Sequence, residues 1–307
     1  MRIGVDLGGT KTEAVALGHA GNELARLRTP TPNRDYDQII RNIGDMVAAI
    51  EREVGARAPA IGFGIPGSLS PATGLIRNSN TVVLNGRAFD RDLAAALGRP
   101  VQLQNDANCF ALAEAMAGAA QGVDTVFGVI LGTGVGGGIV AGGRVLAGYN
   151  LIAGEWGHNR LPAASTDELP GPPCYCGRNG CIETWCSGPA MAADHVRATG
   201  EQQSALQIAA QAAAGDPAAQ ATLERHLDRL ARALAGVVNL LDPDAIVLGG
   251  GLSNLGHLCD RLPDAMRPHI ISDVFETPIQ KNRLGDSAGV IGAAWLWPDR
   301  EQAEAGQ

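Results

Sequence analysis

The chain has 307 residues, with 24 basic and 32 acidic side chains giving a formal net charge of −8, and it is 45% hydrophobic and 18% charged. That composition belongs to a folded protein with a sizeable core, of a length suited to two domains; it speaks against a disordered segment and against a nucleic-acid surface, which requires clustered basic residues. The opening MRIGVDLGGTKT holds no apolar leader and no stretch reaches about 18 uninterrupted apolar residues, so neither a secretory signal nor a membrane helix is expected and the cytoplasm is the default compartment.

Residues Ile3 to Leu7 alternate as a strand, Gly8-Gly9-Thr10-Lys11 supplies a glycine turn, and Ala14 to Leu17 returns. A helix is predicted from Tyr36 to Val54, where Ile39, Ile40, Ile43, Val47 and Ile50 recur at helical spacing, followed by a strand over Ala60 to Ile65. Val101 to Gln104 reads as another strand, running through Asn105-Asp106 into a helix-prone stretch from Ala107 to Ala120. A shift of 124 positions then lays Phe127 to Gly132 over Ile3 to Gly8, so two related strand, glycine turn, strand units are expected to open two domains. Further helices are predicted near 188–199, 203–214 and 217–240. Asp242-Pro243 ends the last of them, ahead of an apolar strand Ala245 to Leu248 that meets Gly249-Gly250-Gly251. The apolar run from Ala288 to Trp297 reads as a closing helix, with a loose polar tail beyond it.

Two glycine runs, Gly62 to Gly67 and Gly132 to Gly137, match G-x-G-x-x-G. Neither opens a helix, which a dinucleotide fingerprint requires, so that site is not expected. The same glycines have another use, because a turn without Cβ atoms lets consecutive backbone N–H groups approach one phosphate. Gly8, Gly9, Thr10 and Lys11 in one domain and Gly132, Thr133 and Gly134 in the other would form a phosphate clamp, unless both are ordinary hairpin turns. Asp6, charged and on a strand, needs a partner, either nucleotide-bound Mg²⁺ or a basic side chain.

Of the six cysteines, Cys174, Cys176 and Cys181 fall within eight positions, behind a Pro- and Ala-rich stretch and downstream of His158. Such a Cys₃His set is a closed tetrahedral structural zinc site rather than a disulfide framework. Cys109, Cys186 and Cys259 read as buried fillers.

Asp6-Leu-Gly-Gly-Thr10 resembles the phosphate loop of actin-like sugar kinases. The run from Leu131-Gly-Thr-Gly through Gly154-Glu155-Trp-Gly157-His158, and Cys174-Tyr-Cys176-Gly-Arg-Asn-Gly-Cys181-Ile-Glu183, resemble the signatures of the ROK family (repressors, open reading frames, kinases) over nearly the whole chain. The resemblance implies an α/β fold of two actin-like (ribonuclease H-like) domains with an interdomain active-site cleft. It divides the chain into residues 1–117, joined by the closing helix at about 288–299, and residues 118–287 with the zinc excursion. It further implies a homodimer and ATP-dependent phosphorylation of a hexose. Fructokinases of the manno(fructo)kinase type resemble this chain most, giving fructose 6-phosphate as the expected product, with N-acetylglucosamine kinase or glucokinase as the alternative.

By the same resemblance Asp106 is the general base, where its residue type and place alone would equally suit a helix N-cap. Asn80, Asn105, Glu155, His158 and Glu183 are the implied sugar contacts, with the backbone near Gly67 as a further one. Glu155 as a solvated acid and Glu183 as a helix-start residue are the plain alternatives. Zinc takes one nitrogen of His158 and would leave the other for a sugar oxygen. Gly249 and Gly250 are implied near the adenosine end of ATP, or else form a tight strand-to-helix turn. The family also holds sugar-responsive repressors with a DNA-binding segment ahead of the first phosphate loop. Because Asp6 is the sixth residue, the enzyme is the expected reading.

Overall fold

A computed structural model of the chain describes residues 1–297, so the expected loose tail lies outside the described residues. Contacts divide it into two compact units: Met1–Gly122 with Gly138–Ala153 and the segment from Leu284 onward, and Val123–Gly137 with Gly154–Arg283.

The first unit opens with β1 (Arg2–Leu7), β2 (Lys11–Leu17) and β3 (Glu23–Pro30), an antiparallel meander in which Leu7 faces Thr12 across the glycine turn. Helix α1 (Tyr36–Val54) follows. Asp35 caps it by accepting from the Gln38 amide at 3.0 Å, and Gly55 ends it at φ 72°. Its buried face is Ile39, Ile43, Met46, Val47 and Ile50, each worth about 2 kcal/mol of burial. Next come β4 (Ile61–Ile65), the two-residue strands β5 (Ser68–Leu69) and β6 (Ile76–Arg77), helix α2 (Phe89–Leu97), β7 (Val101–Asn105) and α3 (Asp106–Ala117). The sheet order is β3-β2-β1-β4-β7, with β1, β4 and β7 parallel, as the intervening helical crossovers require.

The second sheet contains β8 (Thr125–Leu131), β9 (Val135–Ala141) and β10 (Arg144–Val145). Next in the chain are α4 (Glu183–Cys186), α5 (Gly188–Thr199), α6 (Ala205–Ala213) and α7 (Pro217–Leu241). It closes with β11 (Ala245–Gly249), α8 (His257–Met266) and β12 (Ile279–Lys281). Its order, β10-β9-β8-β11-β12, repeats that of the first sheet strand for strand, which gives the 124-residue repeat a structural basis.

The last helix, α9 (Ala288–Trp295), belongs to the first unit. It lies so close to the first sheet that a Cβ on Gly62 would come within 1.8 Å of the Ala293 carbonyl, and one on Gly4 within 2.3 Å of the Ala294 amide. Gly292 meets the Cys109 carbonyl of α3 in the same way.

Candidate active site

In the first unit the glycine turn is held from behind. Gly8 N–H donates to the Lys11 carbonyl at 2.9 Å, Thr31 Oγ1 donates to the Gly8 carbonyl at 2.8 Å, and Asn33 Nδ2 donates to the Gly9 carbonyl at 2.8 Å. The carbonyls of Gly8 and Gly9 are thereby engaged away from any anion, while Thr10 stays exposed and Gly8, Gly9 and Lys11 half-buried. Asn80 reaches this turn: a Cβ on Gly9 would stand 3.9 Å from its Oδ1.

Asp6 lies beside the turn, its carboxylate packed against Gly64 and Gly289, where a Cβ would intrude to 3.1 and 2.8 Å. Burial, then the charges of Asp106 and Glu13, push its pKa up to about 6, with Lys11 acting in the opposite direction. Among the described residues no basic side chain forms an ion pair with Asp6, although Lys11 is near enough to act on its charge. Two arginines of β3, Arg26 and Arg28, pair with the buried Glu13, the second at 2.7 Å.

At the start of α3 the capping role falls to Asn105. Its Oδ1 accepts from the Asn108 amide at 2.8 Å, so Asn105 is the N-cap and Asp106 is the first helical residue. Asp106 accepts the neighbouring Ala107 amide at 2.9 Å and remains solvent-accessible. The protein crowded around it raises its pKa, opposed by backbone N–H groups.

In the second unit Gly132 N–H donates to the Gly134 carbonyl at 2.9 Å and the Gly188 amide to the Gly132 carbonyl at 2.9 Å, leaving Thr133 exposed at the tip. Glu183 arrives at the same turn from α4, its Oε2 accepting from the Val135 amide at 3.0 Å. Gly250, at φ 79°, is needed here, since a Cβ would come within 2.4 Å of the Leu131 carbonyl. Gly249 and Gly250 thus abut the strand that carries Gly132.

Trp156 anchors the turn bearing Glu155 and His158: its indole donates to the Gly136 carbonyl at 2.9 Å and stacks edge-on against Phe127 at 5.5 Å. Gly157 allows the close approach, as a Cβ there would stand 2.2 Å from the Val135 carbonyl. His158, Cys174, Cys176 and Cys181 bring their ligand atoms within 4.8 Å of one another. Cys174 Sγ lies 3.6 Å from His158 Nδ1 and Cys176 Sγ 3.6 Å from Cys181 Sγ.

Two features were not anticipated from the residues alone. Tyr175, between the first two cysteines, places its hydroxyl 2.9 Å from His158 Nε2, so that nitrogen already has a partner. A buried ionic network also lies beneath α4. Glu168 accepts from Arg229 at 2.8 Å and Arg232 at 2.9 Å, Asp194 accepts from Arg229 at 2.7 Å, and Arg229 stacks 4.4 Å from the Trp185 ring. His226 adds a bond to the Cys186 carbonyl at 3.0 Å. Asp194, Arg229 and Arg232 are isolated charges on predicted helices and Glu168 lies in the Pro- and Ala-rich stretch, so no local pattern joins them.

The repeated sheets, each opened by a glycine hairpin, are those of the two-domain actin-like sugar kinases. The model of the ROK family matches residues 2–300, and the chain belongs to that family. It is 38% identical over 303 residues to N-acetyl-D-glucosamine kinase of Yersinia enterocolitica, covering 96% of this chain and 99% of that one. Among solved structures it is similar to the ROK hexokinase of Thermus thermophilus, at TM-score 0.86 and 36% identity over 96% of this chain and 97% of that one. A ROK family glucokinase from Streptomyces griseus in complex with glucose and AMPPNP matches at TM-score 0.72 and 30% identity, over 96% and 98% of the two chains. The protein is an ATP-dependent sugar phosphotransferase. The expectation of fructose is corrected: the full-length relatives at 38–39% identity are N-acetyl-D-glucosamine kinases. Among the described residues, no helix is long and apolar enough to cross a membrane.

Proposed function

We propose that the chain transfers the terminal phosphoryl group of ATP to N-acetyl-D-glucosamine. The observation that carries this reading is full-length similarity to kinases of that sugar. Gly9 to Lys11 and Thr133–Gly134 hold the phosphates through backbone N–H groups and the Thr10 and Thr133 hydroxyls, Gly8 and Gly132 close the two turns, and Gly249–Gly250 admits the nucleoside end. Asp106 accepts the proton of the attacking hydroxyl, which its freedom from capping supports. Asn105, its Oδ1 engaged as the cap, has Nδ2 left to donate to the sugar. Asn80, Glu155, His158 and Glu183 complete the hydroxyl contacts.

Asp6, a carboxylate packed among glycines with no ion pair among the described residues, suits the Mg²⁺ of the nucleotide, which would neutralise phosphate charge. The Cys₃His set suits zinc, since a tetrahedron with bonds of about 2.3 Å has sulfur atoms about 3.8 Å apart, against the 3.6 Å of Cys176 and Cys181. Zinc on His158 Nδ1 leaves Nε2 to donate, to Tyr175 or to a sugar oxygen displacing it. Ligation by three thiolates also supports a reducing, cytoplasmic setting.

The test is ADP release with N-acetylglucosamine, N-acetylmannosamine, glucose and fructose. N-acetylglucosamine should give the highest kcat/KM; a higher value with any other sugar rejects the assignment.

A further inference from the structure

A recess of about 40 Å³ opens in the first unit where β7 passes into α3. Its apolar wall is Ile65, Leu69, Leu103 and Leu151, and its polar corner is Ser68 and Asn108. Two segments assigned above to the sugar border it: Ser68 follows Gly67, and Asn105, also on its rim, precedes Asp106.

Two features mark the recess as built. Asn108 is 5% exposed, and its Nδ2 donates to Gln104 Oε1 at 2.9 Å. Its Oδ1 is buried with no hydrogen-bond partner among the described residues. A buried acceptor left unpaired is destabilising, so it calls for a donor in the recess. Leu151 adopts φ 56°, a conformation a leucine side chain disfavours, with its amide donating to the Gly148 carbonyl at 3.2 Å. Strain of this kind persists where the surroundings impose it, often at ligand sites.

We propose that this recess receives the acetamido group of the sugar, its N–H donating to Asn108 Oδ1 and its methyl lying on the leucine wall. The proposal rests on the N-acetylglucosamine reading. A hydroxyl could serve the acceptor but would leave the apolar wall uncovered, whereas an acetamido group meets both. The small volume favours an acetyl group over longer acyl chains.

The experiment measures kcat/KM for N-acetylglucosamine, glucose and N-butanoylglucosamine in the wild type and in Ala147→Leu, Asn108→Leu and Leu151→Gly. Ala147 also lines the recess, and its enlargement should lower kcat/KM for N-acetylglucosamine at least about tenfold while glucose stays within about threefold. Asn108→Leu should lower the ratio of N-acetylglucosamine to glucose. Leu151→Gly, on an exposed loop and free of the φ penalty, should raise kcat/KM for N-butanoylglucosamine, which the wild type should use less well than N-acetylglucosamine. A parallel change for both sugars, an unchanged ratio, or equal use of both acyl sugars by the wild type would overturn the proposal, leaving the recess a water site. If the wild type prefers another sugar, the functional reading itself fails. If it prefers N-acetylglucosamine and the variants keep that preference, only the recess is misassigned.

Discussion

Glu183 Oε2 accepts the Val135 amide at 3.0 Å, which ties the short helix after the cysteine cluster to the second glycine hairpin. A Cβ on Gly134 would come within 2.5 Å of that oxygen. Gly134→Ala should therefore displace Glu183 and lower kcat/KM for the sugar by about ten- to a hundredfold, with metal content unchanged. Steady-state kinetics beside metal analysis checks it, and a variant with normal kcat/KM would remove Glu183 from the sugar site.

Asp106→Asn keeps the shape of the first helical residue while Asn105 continues to cap. Turnover should fall at least about a hundredfold, with sugar affinity by calorimetry close to that of the wild type and the melting temperature preserved. Retained turnover would mean that another group accepts the proton.

Glu168 governs acid stability. Burial raises its pKa, but bonds from Arg232 and Arg229 outweigh this and hold it at about 2, below the ordinary 4.5. A depressed carboxylate contributes stability above its unfolded pKa and loses it as pH falls through the folded one. Wild type should therefore lose stability between about pH 4.5 and pH 2, and Glu168→Gln should cost about 3–5 kcal/mol at neutral pH. Denaturant titrations across that range decide it, the difference between the two proteins narrowing as the pH drops.

Metal analysis of protein purified without chelator should give about one zinc per chain. Cys176→Ser should lose the ion along with sugar affinity, because His158 would lose its fixed orientation. Full sugar affinity in a zinc-free protein would separate the cluster from the substrate.

The strand, turn, strand units and the helix over residues 36–54 were legible because period two and period 3.6 stand out in local sequence. The donor set His158, Cys174, Cys176 and Cys181 was equally plain from spacing, and its four ligand atoms do converge. Asn105 and Asp106 were harder, since both residue types cap helices and only the bond to the Asn108 amide tells them apart. Tyr175 at His158 and the Arg229–Glu168 pair were illegible because they join distant parts of the chain through side chains that commonly face solvent. The sugar was misread for a different reason. The motifs Leu131 to Gly138, Glu155 to His158 and Cys174 to Glu183 accompany kinases of several sugars, so they report the reaction and not its acceptor.

The close seating of α9 against Gly4 and Gly62 bears on how the chain is made. As the polypeptide emerges from the ribosome, the opening sheet, complete at Asn105, must wait with one side partly uncovered until about 180 further residues have been synthesised, since α9 begins only at Ala288. Val123–Gly137 and Gly154–Arg283 are complete before that helix appears, so maturation should finish at the beginning of the sequence.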